Sequence, residues 1–129
     1  MESVKASIGH ELYKTEIVSP SGNVVISDEP VEDGGQNKGF SPKELLASSL
    51  AACTVATLKM YVDRKKWELE KIDIEVQLVE VEGKPVFKRN IVLHGKFELE
   101  QLDKLLKIAN ACPVHKILSA SSSVETEIQ

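Results

Sequence analysis

The chain has 129 residues, 42% of them hydrophobic and 28% charged, with a formal net charge of −4. That composition is ordinary for a soluble globular protein. The length suits a single domain over residues 1–129 that buries roughly two-thirds of its unfolded surface and needs no disulfide staples. Mixed signs with a slight acidic excess argue against a nucleic-acid surface or an anionic-membrane surface.

The first residues, MESVKASIGHELYK, contain no apolar stretch of the kind that opens an export signal, so a reducing cytoplasm is the expected compartment. Patchy alternation in VKASIGHELYKTEIV, a turn at SPSG (19–22) and the run NVVIS predict strands over the first 40 residues. DEPVEDGGQNKGFSP (28–42) is a loop rich in glycine, proline and acid. It ends at a helix start: Ser41 as N-cap, Pro42 at the first helical position, and Glu44 three residues on as in a capping box. Helix propensity holds from 43 to about 65, a length of about 35 Å. The apolar run at 45–58 falls short of the roughly 20 residues that span a bilayer, so it reads as a core helix. Its middle is apolar nearly all round, which requires either a strongly curved sheet or a second subunit to cover it.

After Trp67 the period changes to two. KIDIEVQLVEVEG places Ile72, Ile74, Val76, Leu78 and Val81 in alternation, a turn is predicted at GKP (83–85), and VFKRNIVLHGKFEL returns as the second arm of an antiparallel hairpin with one wet face. A helix at about 100–110 carries Leu102, Leu105, Leu106 and Ile108 or Ala109 on one face. Pro113 opens a short helix at 113–119, and SSVETEI is predicted to close the chain as a strand. The order of elements is α+β.

The chain has two cysteines, Cys53 and Cys112, 59 positions apart. Cys53 lies in line with Leu46, Ser49, Leu50, Thr57 and Met60 at helical spacing, where a free cysteine is ordinarily a small core residue. Cys112 directly precedes a proline and so stands at a helix N-terminus, where orphan N–H groups favour thiolate. Three other uses are open to these thiols. Cys112 and His115 are spaced like half a metal site, but Cys53, His10 and His94 supply no compact second half. Cys53 and His115 could pair as nucleophile and base. A dithiol that cycles is the better use of two cysteines in a reducing cell, where a static bond closing so long a loop is unreliable.

FSPKELLASSLAAC (40–53) and ACPVHKIL (111–118), with GGQNKGFSP before the helix, resemble the OsmC/Ohr family of thiol-dependent hydroperoxide reductases. The resemblance implies an OsmC-like fold, in which antiparallel sheets wrap around long central helices in an intertwined homodimer. It also implies catalytic roles for both cysteines. Cys53 would be the peroxidatic residue, attacking an organic hydroperoxide and becoming a sulfenic acid. Cys112 would be the resolving residue, and an external dithiol or lipoyl-type reductant would reopen the disulfide. No metal, flavin or nicotinamide cofactor enters that chemistry. The apolar helix and Phe40 favour an apolar peroxide.

Two positions depart from the family pattern. Lys43 stands where the peroxidases carry a glutamate, and no arginine precedes Arg64. A buried thiol without a nearby cation has a raised pKa, and each unit costs about 1.4 kcal/mol. Lys14, Lys38 and Lys43 are the cations available to replace the arginine, as point charges without its fork. A different employment of the same fold is a module that binds a small hydrophobic ligand at the dimer interface. A third is an α+β protein whose thiols never meet.

Overall fold

The computed structural model describes residues 2–129. The chain packs as two compact units, one up to Leu46 and one from Ala47 onward.

The first unit is a three-stranded antiparallel sheet in the order β1 (Lys5–Ile8), β2 (Thr15–Val18), β3 (Val24–Ser27). The predicted SPSG turn links β2 to β3. Ser19 donates its N–H to the Asn23 carbonyl at 2.9 Å, and Gly22 takes the left-handed φ of 91° that the reversal needs.

The loop that follows is fixed around one carboxylate. Asp28 is only 2% exposed. Its Oδ1 accepts from the N–H groups of Tyr13 and Glu29 at 3.0 and 2.8 Å, and its Oδ2 from those of Gln36 and Lys38 at 3.3 and 3.0 Å. The chain then returns beside β3, with Phe40 donating to the Ile26 carbonyl and Asp28 to the Phe40 carbonyl, each at 3.1 Å. Two glycines permit this path. A Cβ on Gly35 would lie 2.0 Å from the Glu29 carbonyl oxygen, and one on Gly39 would lie 2.2 Å from that of Ile26.

Helix α1 (Pro42–Lys65) opens with the expected reciprocal cap. Glu44 donates its N–H to Ser41 Oγ at 3.2 Å, and Ser41 donates its own to Glu44 Oε1 at 2.8 Å. The helix closes in a Schellman turn. Lys66 has a φ of 59° and donates to the Asp63 carbonyl, while Trp67 donates to that of Val62.

In the second unit β4 (Lys71–Val81) and β5 (Lys84–His94) form an eleven-pair antiparallel hairpin. Its turn is the two-residue loop Glu82-Gly83, with φ of 51° and 79°, one position earlier than predicted. Positive φ at both central residues matches the right-handed strand twist, so that loop wins, and Pro85 is left inside β5. Helices α2 (Leu99–Asn110) and α3 (Pro113–Ser119) follow.

The core of this unit is Leu58, Val62, Leu105 and Ala109, with Tyr61, Trp67, Leu69, Ile72, Ile91, Leu93, Phe97 and Ile108 packed around it. The Trp67 ring meets Tyr61 and Phe97 edge-on, with centroids 5.6 and 6.4 Å apart.

By length and composition alone α1 could pass for a membrane span. Its buried residues, Leu50, Thr54, Leu58 and Val62, instead form one stripe at i+4 spacing, and the lower two belong to this core. The helix was expected to be covered on most sides. Within one chain this stripe is the fully buried part of the helix, Cys53 and Tyr61 are half-buried, and Leu46 and Met60 are exposed.

The strand predicted at 122–128 does not form. Val124 and Ile128 are 90% and 94% exposed, and the segment joins no sheet among the described residues. Alternation marks a possible strand, but a strand also needs a ladder partner.

Two outcomes follow from this packing. Leu58→Ala should lower the unfolding free energy by about 2–5 kcal/mol, read from denaturant midpoints. The Asp28 carboxyl titrates below the ordinary carboxylate range because the Lys38 N–H stabilises its ionised form. Burial opposes that shift, and the N–H groups of Tyr13, Glu29 and Gln36 add to it. A depressed folded pKa gives stability that is complete above about 3.9, the unfolded value, and is lost as pH falls through the folded one. Asp28→Asn should therefore lower the melting temperature at neutral pH and narrow its gap from the parent protein in acid.

Candidate functional site

The second unit brings together the two thiols and a polar cluster contributed by four elements. Cys112 is the N-cap of α3, with Pro113 at the first helical position as its sequence predicts. It is fully buried, and its Sγ accepts from the His115 N–H at 3.3 Å. Thr54, on the buried stripe of α1, places its Oγ1 3.9 Å from that sulfur. Cys53 is half-buried, its Sγ 3.9 Å from Thr57 Oγ1, and its thiol lies near that of Cys112. Both cysteines are free thiols.

The remaining member is Arg89, on β5. Strand alternation puts it on the inward face with Phe87, Ile91 and Leu93, directly opposite Val76 of β4. Its Nη1 donates to Thr54 Oγ1 at 3.0 Å and to the Ala109 carbonyl at 3.3 Å. Its Nη2 donates to Asn110 Oδ1 at 2.9 Å and meets His115 Nδ1 at 3.2 Å. A guanidinium cannot accept a hydrogen bond, so His115 Nδ1 is the acceptor and the neutral ring carries its proton on Nε2. One side chain thereby ties β5 to α1, to the end of α2 and to α3.

The thiol at Cys112 responds to all of these neighbours. Burial pushes its pKa up. The His115 N–H, the neighbouring Cys53 and Thr54 side chains and the charge of Arg89 outweigh that and leave it below the ordinary thiol value. Thr54 contributes conditionally. Its one hydroxyl proton goes to the Leu50 carbonyl at 2.7 Å, so it accepts from a protonated Cys112 and must turn to donate to a thiolate.

Lys14, Lys38 and Lys43 all lie in the segment up to Leu46, where Lys38 is paired with Glu11 at 2.9 Å. The cation acting on Cys112 is Arg89, which sequence reasoning passed over as part of a hairpin arm. The signal was present in VFKRNIVL: an arginine in phase with Phe87, Ile91 and Leu93 occupies an inward position. Two of the three histidines are engaged elsewhere. The His115 ring faces Arg89, and His94 Nε2 meets Asp73 at 2.7 Å.

Beside the cluster lies a cavity of about 510 Å³, walled by Leu50, Phe87, Ile91, Leu106 and Leu118 with Arg89 and His115 among its polar residues. Neither cysteine lines it.

A family model described as OsmC-like protein matches residues 35–127. The chain belongs to the OsmC-like family. Solved structures agree on the mixed α+β fold. A protein of Psychrobacter arcticus, ascribed to osmotic stress induction and the detoxification response, superposes with a TM-score of 0.79 at 25% identity, over 91% of this chain and 88% of that one. An OsmC-like protein from Mycoplasma pneumoniae gives 0.73 at 20% identity, over 92% and 86%. An organic hydroperoxide resistance protein OsmC from Legionella pneumophila gives 0.62 at 23% identity, over 92% and 89%. No curated protein matches the chain.

Removing the Thr54 hydroxyl strands one Arg89 donor in a half-buried site. Thr54→Val, nearly isosteric, should cost about 1–3 kcal/mol of unfolding free energy, measurable by urea denaturation.

Proposed function

We propose that this OsmC-like protein is a thiol-dependent reductase of organic hydroperoxides that uses Cys53 and Cys112 as its redox pair. One observation carries the reading: two thiols 59 positions apart in sequence come together, one half-exposed and the other fully buried beside it. Exposure divides the roles. Cys53 is the sulfur a peroxide can reach. Its thiolate attacks one oxygen of the O–O bond, that bond breaks, and the alkoxide leaves and takes up a proton as the alcohol. The resulting Cys53 sulfenic acid is attacked by the Cys112 thiolate. The S–S bond forms and hydroxide departs, to be protonated to water. An external dithiol then attacks the disulfide and is itself oxidised, which restores both thiols. The working form in this reading is a homodimer, in which the second chain covers the faces of α1 left open within one chain.

The cavity walled by Leu50, Phe87 and Leu106 favours a second reading, a module that binds a small apolar ligand. The two separate by experiment. Cumene hydroperoxide should consume two thiols per chain, and dithiol should restore them. Cys53→Ser should abolish turnover. Cys112→Ser should allow one oxidation and then stall at sulfenic acid, trapped by dimedone. Retention of both thiols under peroxide, or turnover that survives Cys53→Ser, refutes the reductase. A function retained when both cysteines are replaced supports the binding module.

A further inference from the structure

We infer that the counter-ion of Arg89 is the Cys112 thiolate, and that Arg89 is the positioning residue that keeps this buried sulfur ionised and ready for the disulfide-forming step. The charge balance of the cluster carries the inference. Arg89 is half-buried, and the four N–H groups on its two terminal nitrogens have four acceptors: a hydroxyl, a main-chain carbonyl, an amide oxygen and a neutral imidazole nitrogen. All four are neutral, so they orient the guanidinium and leave its charge undiminished. Among the described residues no ion pair includes Arg89. A cation partly removed from water without an anion is costly, and the cost falls when a group beside it ionises.

The groups that face Cys112 narrow the choice. Cys53 lies near it on α1, Arg89 of β5 reaches it through Thr54, whose Oγ1 is 3.0 Å from Nη1 and 3.9 Å from Sγ, and the His115 ring of α3 acts through Arg89. From α2 only the neutral Ala109 carbonyl and Asn110 amide take part. Cys112 already has the means to carry the charge. The His115 N–H points at its sulfur, and the Thr54 hydroxyl can turn toward it while still accepting from Arg89.

This rests on the reductase reading for its chemical consequence. Attack on a sulfenic acid depends on the thiolate fraction of the attacking sulfur, and a low-pKa sulfur is also the better leaving group in the return reaction. A pre-ionised Cys112 therefore closes the disulfide before a second peroxide can carry Cys53 on to sulfinic acid. In the return step the dithiol attacks the Cys53 sulfur, the S–S bond breaks, and Cys112 departs as thiolate toward Arg89. The transient mixed disulfide is thus on Cys53.

The test needs no peroxide in its first part. In Cys53→Ser protein, Cys112 is the sole thiol, and its thiolate can be titrated by ultraviolet absorbance. The expected midpoint lies below the ordinary value of about 8.5, and adding Arg89→Met should raise it, with a loss of thiolate at neutral pH. Arg89→Lys, which keeps the charge without the fork, should fall between. An ordinary midpoint with Arg89 present overturns the inference even if the Arg89 variants fail to fold. So does a midpoint that folded Arg89→Met leaves unchanged. In the second part, both cysteines present, Arg89→Lys should slow disulfide closure after a peroxide pulse and increase sulfinic acid at Cys53 by mass. If peroxide leaves Cys53 untouched, the reductase reading fails while the titration still decides the ion pair.

Discussion

The site depends on a cation whose hydrogen-bonding partners are all neutral. Arg89 reaches from β5 to Thr54 on α1, to the carbonyl and side chain that end α2, and to the ring of His115 on α3. Each contact is an ordinary hydrogen bond. Together they set where three helices stand relative to one strand, and they leave a full positive charge beside a buried sulfur. A planar fork makes such an arrangement possible, because its donors diverge in fixed directions while the charge stays delocalised at the centre. The same contacts explain why Thr54 is buried in the apolar stripe of α1 where a valine would fit the packing.

How much of this was legible in the sequence depends on whether the signal was local. The α1 start could be read because Ser41, Pro42 and Glu44 carry their own instruction, and the cap forms as those residues specify. The β4–β5 hairpin was legible because two periodic arms surround a glycine, although the turn lies at Glu82-Gly83, where two positive φ angles match the strand twist. Alternation over 122–128 predicts a closing strand but contains nothing about a partner, and none of the described strands takes it.

The site was half legible for a related reason. Cys53 and Cys112 stood out by residue type and by the motifs around them, and the N-cap position of Cys112 followed from Pro113. Arg89 did not stand out, because it lies in a hairpin arm whose alternation reads as ordinary strand, and the lysines at 14, 38 and 43 were expected beside Cys53, a different sulfur. Its phase within VFKRNIVL placed it inward, but nothing local says that Asn110, His115 and Thr54 would converge on it. That convergence is tertiary. Asp28 is similar: an acid in a glycine-rich loop looks solvated until four main-chain N–H groups are found closing on it.

The unequal exposure of the two sulfurs has a chemical consequence of its own. With the inner one wholly enclosed, alkylating drugs, nitrosating agents and glutathione can touch only the outer one. A mixed disulfide on the outer sulfur, of the kind glutathione leaves, carries a thiolate leaving group, and attack by the enclosed sulfur would expel it as the S–S bond closes. An alkyl thioether has no such leaving group and would stay in place, so the enclosed atom would answer only the reversible visitors.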